Sequence, residues 1–350
     1  MNILEVFRSY NPDIINKPYI IAEAGVNHEG DIEIAKRLIH EAAEGGADAV
    51  KFQTYKAETL TIKDSPSYWD TGMETTKNQF DLFRKYDKFW KKEYEQLKEE
   101  CIKSGIEFMS TPFDIQSADF LNDLMPVYKI SSSDITNFPF IKHICKFKKP
   151  ILLSTGASSV WEIQQAVELI EESGNDLCLL HCVLNYPTLD ENANLGMLLD
   201  QRKKFPETVP GYSDHTLPGT MEVLKIATLL GAVFLEKHFT FDKVLPGNDH
   251  YHAMDKDDLK YFLKDMEKIF SIIGDFKKKP LPTEDVAQRN ARRSLVAKKD
   301  IMAGELFSEN NLTYKRPAGG ISPKYFADVV GKKAITEIKE DTPLQWNMIE

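Results

Sequence analysis

Short β-branched and apolar runs alternate along the chain with longer stretches in which apolar positions recur every three or four residues. The short runs predict strands over 19–23, 49–53, 107–110, 127–130, 151–154, 177–182, 209–213 and 233–238. Between them IEIAKRLIHEAAEGG, FWKKEYEQLKEECIKSG, VWEIQQAVELIEESG and GTMEVLKIATLLG carry the helical period, three of them followed by Gly at a C-cap position. Repeated βα units give a parallel sheet with right-handed crossovers. Eight in about 270 residues suit an α/β fold of the closed (β/α)8, or TIM, barrel type. A doubly wound open sheet is the alternative, but no G-x-G-x-x-G follows any strand, so a dinucleotide fold loses its main support.

The alternation stops near residue 275. The run DFKKKPLP is rich in Lys and Pro and reads as a linker, assigned to 276–288, after a barrel domain over 1–275. In 289–350 the runs SLVAKKDI, LTYKRPAGGI and KAITEI are broken by Gly, Pro and Asp, which predicts a small β-rich domain. The stretch 55–88 is too long for an ordinary βα loop and full of aromatic and charged residues, so it reads as a lid.

Composition narrows the function classes. Of 350 residues, 42% are hydrophobic and 28% charged, as in a chain that folds around a sizeable core. Lys and Arg number 44 against 54 Asp and Glu, a formal net charge of −10. That balance argues against general binding to nucleic acid or to an anionic membrane, because no cation excess is available to displace counterions. An anionic substrate must therefore be held by a local cluster of bases. Cys101, Cys145, Cys178 and Cys182 form no C-x-x-C pair and read as reduced thiols. The opening MNILEVFRSYNPDII lacks a secretory pattern, and no apolar run approaches the roughly 18 residues that span a bilayer. A cytoplasmic protein is expected.

Barrel active sites are built at the C-terminal strand ends, and here those ends are dense in polar residues. In strand order they are Glu23 with Asn27 and His28; Lys51 and Gln53; Ser110 and Thr111; Lys129, Ser131 and Ser132; and Ser154. The last three strands bring His181 with Asn185 and Tyr186; Ser213 with His215; and Glu236 with His238. Side chains alternate along a strand, so Lys51 shares a face with Gln53, and Glu236 with His238. If that face is the interior, Lys237 points toward the helices. A lone polar residue at a strand end is usually a cap, but Lys within a buried strand is costly without a partner, so Lys51 and Lys129 point to an anion site. His215 and His238, on adjacent strand ends, could meet one metal ion.

The runs IAEAGVNHEGD, VKFQTYKAETL, STPFD, KISSSDITNFP, LLSTGA, HCVLNYP, GYSDHT, EKHFT and KRPAGGI occur in this order. Together they resemble the N-acetylneuraminate (sialic acid) synthase family over essentially the whole chain, including its terminal antifreeze-like (SAF) domain. The resemblance implies a (β/α)8 barrel, a divalent metal, Mn2+ or Mg2+, and a domain-swapped homodimer. It also implies condensation of phosphoenolpyruvate with an N-acylated mannosamine-type aldose, giving a nine-carbon 2-keto-3-deoxy acid and phosphate. Lys51, Lys129, Ser132, Ser154, Asn185 and Ser213 match positions that hold phosphoenolpyruvate, and Thr111 joins them as a substrate contact. His215 and His238 match the metal ligands; Glu23, Gln53, Tyr186 and Asp249 match positions around the sugar. Arg316 matches an arginine that reaches the N-acyl group from the partner subunit's terminal domain.

One motif departs from the family. Where many members read G-P-D-H followed shortly by Ser, this chain has Gly247-Asn248-Asp249-His250-Tyr251-His252-Ala253-Met254. The sugar is therefore open: the product could be N-acetylneuraminate, or a legionaminate or pseudaminate type from a 2,4-diacetamido sugar. Glu236 is expected to deprotonate the water that adds to the enol carbon, with Glu23 the alternative base. A Schiff-base aldolase using one of the lysines, and a non-catalytic sugar- or ice-binding scaffold, are the other readings.

Overall fold

Eight parallel strands, each on its own line of the βα alternation, make the first unit of the computed structural model, which describes residues 2–350 except 70, 73 and 248. They are β1 (Tyr19–Gly25), β2 (Ala49–Thr54), β3 (Glu107–Pro112), β4 (Tyr128–Ile130), β5 (Ile151–Ser154), β6 (Leu177–Cys182), β7 (Val209–Asp214) and β8 (Phe234–His238). The ladder order is β3-β2-β1-β8-β7-β6-β5-β4, and β3 and β4 meet without a ladder, which closes a TIM-type barrel. The intervening helices start and stop where local chemistry dictates. The Asp31 carboxylate accepts from the backbone N–H of Glu33 and Ile34 at the start of the helix Ile32–Gly45, and Gly46 ends it at φ 94°.

Strict alternation separates two cores. The outward residues Ile20, Ala22, Val50, Phe52, Phe108, Ile130 and Leu179 pack under the helices. Tyr19, Ile21, Ala49, Met109, Val127, Leu152, Cys178, Val209 and Phe234 fill the lower interior. The short helix Ile3–Ser9 closes the barrel's N-terminal mouth through Ile3 and Val6, and the Phe7 and Phe234 ring centroids lie 5.2 Å apart. The interior is thus apolar at that end, which leaves only the C-terminal end for polar side chains.

Lys237 faces outward, as alternation predicts, but it is not solvated. It is buried and donates to Asp214 on β7 at 2.6 Å and to the carbonyl of Thr216 at 2.5 Å. Asp214 also accepts from Tyr212 Oη at 3.0 Å and from the Thr216 N–H at 3.0 Å. Burial alone would raise the Asp214 carboxyl, but Lys237 outweighs it and holds it below the ordinary range. This knot fixes the loop that carries His215.

A second compact unit spans Asp275–Glu350, the first being Met1–Gly274. In it β9 (Ser294–Ala297) pairs antiparallel with β10 (Leu312–Lys315). Leu295, Ala297, Ile301, Phe307, Leu312, Val329, Ile338 and Leu344 form its own core. Part of the segment 276–288 is helical: a turn at Pro282–Glu284 leads into the helix Asp285–Ala291, whose side chains are not buried. All four cysteines are free and buried, and among the described residues no helix is long and apolar enough to cross a membrane.

Asp214→Ala should lower the unfolding free energy by about 3–5 kcal/mol, because it leaves the Lys237 ammonium buried and unpaired. Urea denaturation followed by circular dichroism measures it. The double variant Asp214→Leu/Lys237→Met should recover much of that loss; a single-variant cost under about 1 kcal/mol would show the pair to be structurally idle.

Candidate active site

Above the apolar floor, the next inward residue of most strands is polar, β6 alone offering a thiol, Cys182, and strand register sets these residues level with one another. Glu23 lies opposite Lys51 on one side and His238 on the other, Gln53 opposite Thr111, and Ser213 opposite Glu236. The resulting pocket is lined by Glu23, Lys51, Gln53, Thr111, Lys129, Ser132, Ser154, Tyr186, Ser213, His215, Glu236 and His238. Ser132 enters from the turn after β4, where its Oγ accepts from the Gly156 N–H at 2.9 Å. A Cβ at position 156 would sit 2.9 Å from that oxygen, so glycine is required for the approach.

Four charges form the base of the pocket, all buried. The Lys51 ammonium is in direct contact with Glu23, lies 3.7 Å from Glu236 and donates to Thr111 Oγ1 at 3.0 Å. Lys129 also lies 3.7 Å from Glu236, which accepts from Ser213 Oγ at 3.2 Å. Burial pushes the Glu23 carboxyl up to about 7, against the pull of Lys51 and with the help of Glu236. Glu236 goes the other way: burial would raise it, but Lys129 and Lys51 together hold it below the ordinary carboxylate range. Burial lowers the Lys129 ammonium despite Glu236, whereas Glu23 and Glu236 outweigh burial at Lys51 and raise it. With both carboxylates ionised the quartet is neutral, so two lysines alone do not make an anion site. Protonation of Glu23 gives the quartet a net positive charge.

Beside it stands a group of imidazoles. His215 and His238 ring centroids are 5.4 Å apart, and His238 and His252 4.8 Å. His215 Nδ1 donates to the Val183 carbonyl at 2.8 Å, so the neutral ring has its lone pair on Nε2; burial would lower this imidazole, but Cys182 and the hydrogen bonds outweigh it and raise it. Burial first, then the neighbouring His215, holds His238 well below the usual imidazole range; burial and His238 take His252 down to about 3. Neutral imidazoles are the form that ligates a metal. Among the described residues, His238 Nδ1 and both His252 nitrogens have no hydrogen-bond partner, although all are buried. Orphaned buried nitrogens next to the Asp249 carboxylate suit a divalent cation, so the residues present fit the metal that the sequence implies.

The stretch 55–88 folds over the same end of the barrel. Its short helices Ala57–Leu60 and Gln79–Tyr86 are tied back by Lys56, which donates to the Asp87 carbonyl at 2.6 Å, and by the Ala57 N–H, which donates to Asp87 Oδ2 at 3.0 Å. Tyr55, Tyr68, Trp69, Leu82, Phe83 and Tyr86 form one wall of a second pocket. Gln53, Tyr186 and His238 line both pockets, so the second lies directly against the charged one. Asp249, Glu29 and His250 complete it with no Lys or Arg among the described lining residues.

Residues 38–278 match the NeuB family and residues 292–350 the SAF domain. The chain belongs to the NeuB family. It is similar to the N,N'-diacetyllegionaminic acid synthase of Campylobacter jejuni, with 41% identity over 93% of this chain and 98% of that protein. It is also similar to a pseudaminic acid synthase of the same species, with 36% identity over 95% of this chain and 96% of the other. Among solved structures, the N-acetylneuraminic acid (sialic acid) synthetase of Leptospira borgpetersenii superposes with a TM-score of 0.69 at 32% identity, covering 79% of this chain and 94% of that one.

One residue expected at this NeuB site lies outside the charged pocket and the one beside it. Asn185 is exposed on the loop after β6 and lines a neighbouring groove with Thr155, Leu184 and Met197, because the next residue, Tyr186, takes the inward position. Arg316 is exposed just after β10, in the second unit. Asn248 lies outside the described residues. Sequence reasoning missed His252 and the aromatic wall. The break in the G-P-D-H motif signalled the first, and the aromatic density of 55–88 the second.

Because Glu23 is neutral below about pH 7 and ionised above it, the metal-free protein should bind sulfate, whose charge is constant there, more tightly as the pH falls through 7. The gain should be roughly tenfold or more. Calorimetric titration of Glu23→Gln should give tight binding across the range with most of that pH dependence gone. Equal pH dependence in both proteins would assign the titration to another group.

Proposed function

We propose that this NeuB-family chain condenses phosphoenolpyruvate with an unphosphorylated, N-acylated aldose and water, giving a nine-carbon 2-keto-3-deoxy acid and phosphate. The observation that carries this is the neutral, buried Lys51–Glu23–Glu236–Lys129 quartet set against an aromatic pocket. A trianion entering the quartet favours protonated Glu23, which keeps the net charge from becoming strongly negative. Lys51, Lys129, Thr111, Ser132, Ser154 and Ser213 hold its phosphate and carboxylate. His215 and His238 would hold a divalent ion, which would supply Lewis-acid polarisation of a carbonyl.

The two carboxylates divide the proton transfers, since their surroundings push them apart. The methylene carbon of phosphoenolpyruvate bonds to the aldehyde carbon, and Glu23 gives its proton to the aldehyde oxygen. Positive charge at the enol carbon is met by water, whose proton goes to Glu236; Glu236 Oε2 is buried with no hydrogen-bond partner among the described residues. The bond from the former enol carbon to the phosphate oxygen then breaks as that carbon's hydroxyl becomes the keto group, the hydroxyl proton leaving with the phosphate, whose charge Lys51 and Lys129 stabilise. No step needs a lysine Schiff base, and Lys51 is held charged by its carboxylates.

The sugar pocket favours the 2,4-diacetamido class. Tyr55, Tyr68, Trp69, Leu82 and Phe83 present apolar surface suited to acetamido methyl groups, whereas Glu29 and Asp249, with no Lys or Arg among the described lining residues, would disfavour a 6-phosphate. We further assign Arg316 to the N-acyl group in the barrel of a partner subunit, as the family resemblance implies, in a swapped homodimer.

Phosphate release should be fastest with a 2,4-diacetamido mannose-type sugar, slower with N-acetylmannosamine and absent with its 6-phosphate. Release from the 6-phosphate above the other two would overturn the pocket reading, and release from none would overturn the synthase.

Glu236→Gln should lower kcat by roughly 10²–10⁴ without raising either KM. Arg316→Ala should instead raise the aldose KM. After subunit exchange between these two variants, one complete site per mixed dimer should restore activity. No recovery in verified mixed dimers would mean that Arg316 serves its own barrel or none.

A further inference from the structure

We propose that His252 is a metal ligand, a third imidazole that joins His215, His238 and the Asp249 carboxylate. The inference rests on reading the barrel mouth as metal-dependent, and it goes beyond the two-imidazole set, His215 and His238, that the family resemblance implies.

His252 is fully buried, and neither ring nitrogen has a hydrogen-bond partner among the described residues. A neutral imidazole has one N–H and one lone pair, and leaving both unmet in the interior costs about 1–3 kcal/mol for each. Two other buried histidines avoid that cost, and a third, His28, leaves only Nε2 unmet. His181 Nε2 lies 2.9 Å from the Ala193 carbonyl, and His250 Nδ1 lies 2.8 Å from Thr240 Oγ1. His252 stands instead beside His238, whose Nδ1 is also without a hydrogen bond and lies 3.9 Å from Asp249 Oδ2. One ligand atom from each of His238, Asp249 and His252 falls within 4.8 Å of the others. Ligand atoms bonded to one ion at about 2.1 Å stand roughly 3–3.5 Å apart, so a closure of about 1 Å would bring these three onto one ion, with His215 beside His238.

The backbone holds His252 in that place. The Met254 N–H donates to the His238 carbonyl at 2.8 Å, and the Thr240 N–H donates to the Met254 carbonyl at 3.0 Å, so the loop is laced to the end of β8. The Tyr251 hydroxyl donates to the Tyr186 carbonyl at 2.9 Å. The Tyr186 ring in turn lies against His215, His238 and His252, at centroid distances of 4.2, 6.0 and 5.8 Å. His252 stands in the stretch where the family motif departs, near the position many members fill with Ser. A nitrogen-rich set of this kind binds Mn2+, Fe2+, Co2+ or Zn2+ in preference to Mg2+, which demands oxygen ligands.

The test uses the full-length protein stripped with a chelator and titrated with Co2+ or Mn2+ alone. Co2+ should bind with a visible spectrum that changes in His252→Ala, and its Kd should rise roughly tenfold or more in that variant. His252→Ser serves as the second variant, with thermal melts to confirm that both fold. Pulsed electron paramagnetic resonance of Mn2+-loaded wild type needs no variant and should resolve three imidazole nitrogen couplings. Two couplings, or unchanged Co2+ affinity and spectrum in His252→Ala while His238→Ala loses the ion, would remove His252 from the set and leave the synthase reading standing. No uptake of either ion by the wild type would overturn both.

Discussion

Two ammonium groups buried in a parallel barrel set the terms for everything around them. Taking an isolated ammonium out of water costs several kcal/mol, and only close carboxylates and hydroxyls offset it. Lys51 therefore requires Glu23 on one adjacent strand and Thr111 on the other, and Glu236 serves both lysines from across the barrel. These partners meet only if β1, β2, β3 and β8 keep their observed register, since a one-residue slip would carry every one of them to the helix side. The same need excludes the quartet from the lower interior, where Phe234, Met109 and Leu152 are packed beneath the helix Ile3–Ser9.

Alternation turns one stretch of chain to two uses. In β8, Glu236 and His238 face the site while Lys237 between them faces outward, and in β7, Ser213 faces inward while Asp214 faces outward. The outward pair braces the turn from which His215 emerges, so the position of an imidazole inside the barrel depends on an ion pair outside it. Geometry at the site is thereby supported from behind by groups that never touch a ligand.

How much of this was legible in the sequence depended on the range of the signal. All eight strands were readable to within about two residues, because buried parallel strands are continuous apolar runs and period-2 alternation assigns their faces. Lys51, Lys129, Glu236 and His238 were readable for the same reason: charge in such a run has few structural explanations. What the sequence could not give was pairing. Two lysines read as a positive cradle, yet the register neutralises them with two glutamates, a long-range fact no local pattern carries. Loop residues were least legible, since side-chain direction there follows turn geometry. Neighbours Asn185 and Tyr186 looked equivalent in NYP, but only Tyr186 turns inward. His252 lay hidden for a related reason, because it joins the site by folding back onto β8 rather than by strand alternation.

The cost of the site is concentrated where the chemistry is. Ser154 Oγ, Glu236 Oε2, His238 Nδ1 and both nitrogens of His252 are buried without hydrogen-bond partners among the described residues. At about 1–3 kcal/mol each, such groups together weigh as much as the whole net stability of an ordinary domain. The fold can carry them because they gather at one end, while the opposite end is filled with apolar side chains beneath the helix Ile3–Ser9 and the flanks are packed under the outer helices. A ligand that satisfies these atoms in one step recovers the deficit at the moment of binding. Hydroxyl and carboxylate sites match a small polyanion and an added water, and nitrogen lone pairs match a cation. The pattern of what the site leaves unsatisfied is therefore itself a description of what it is built to hold.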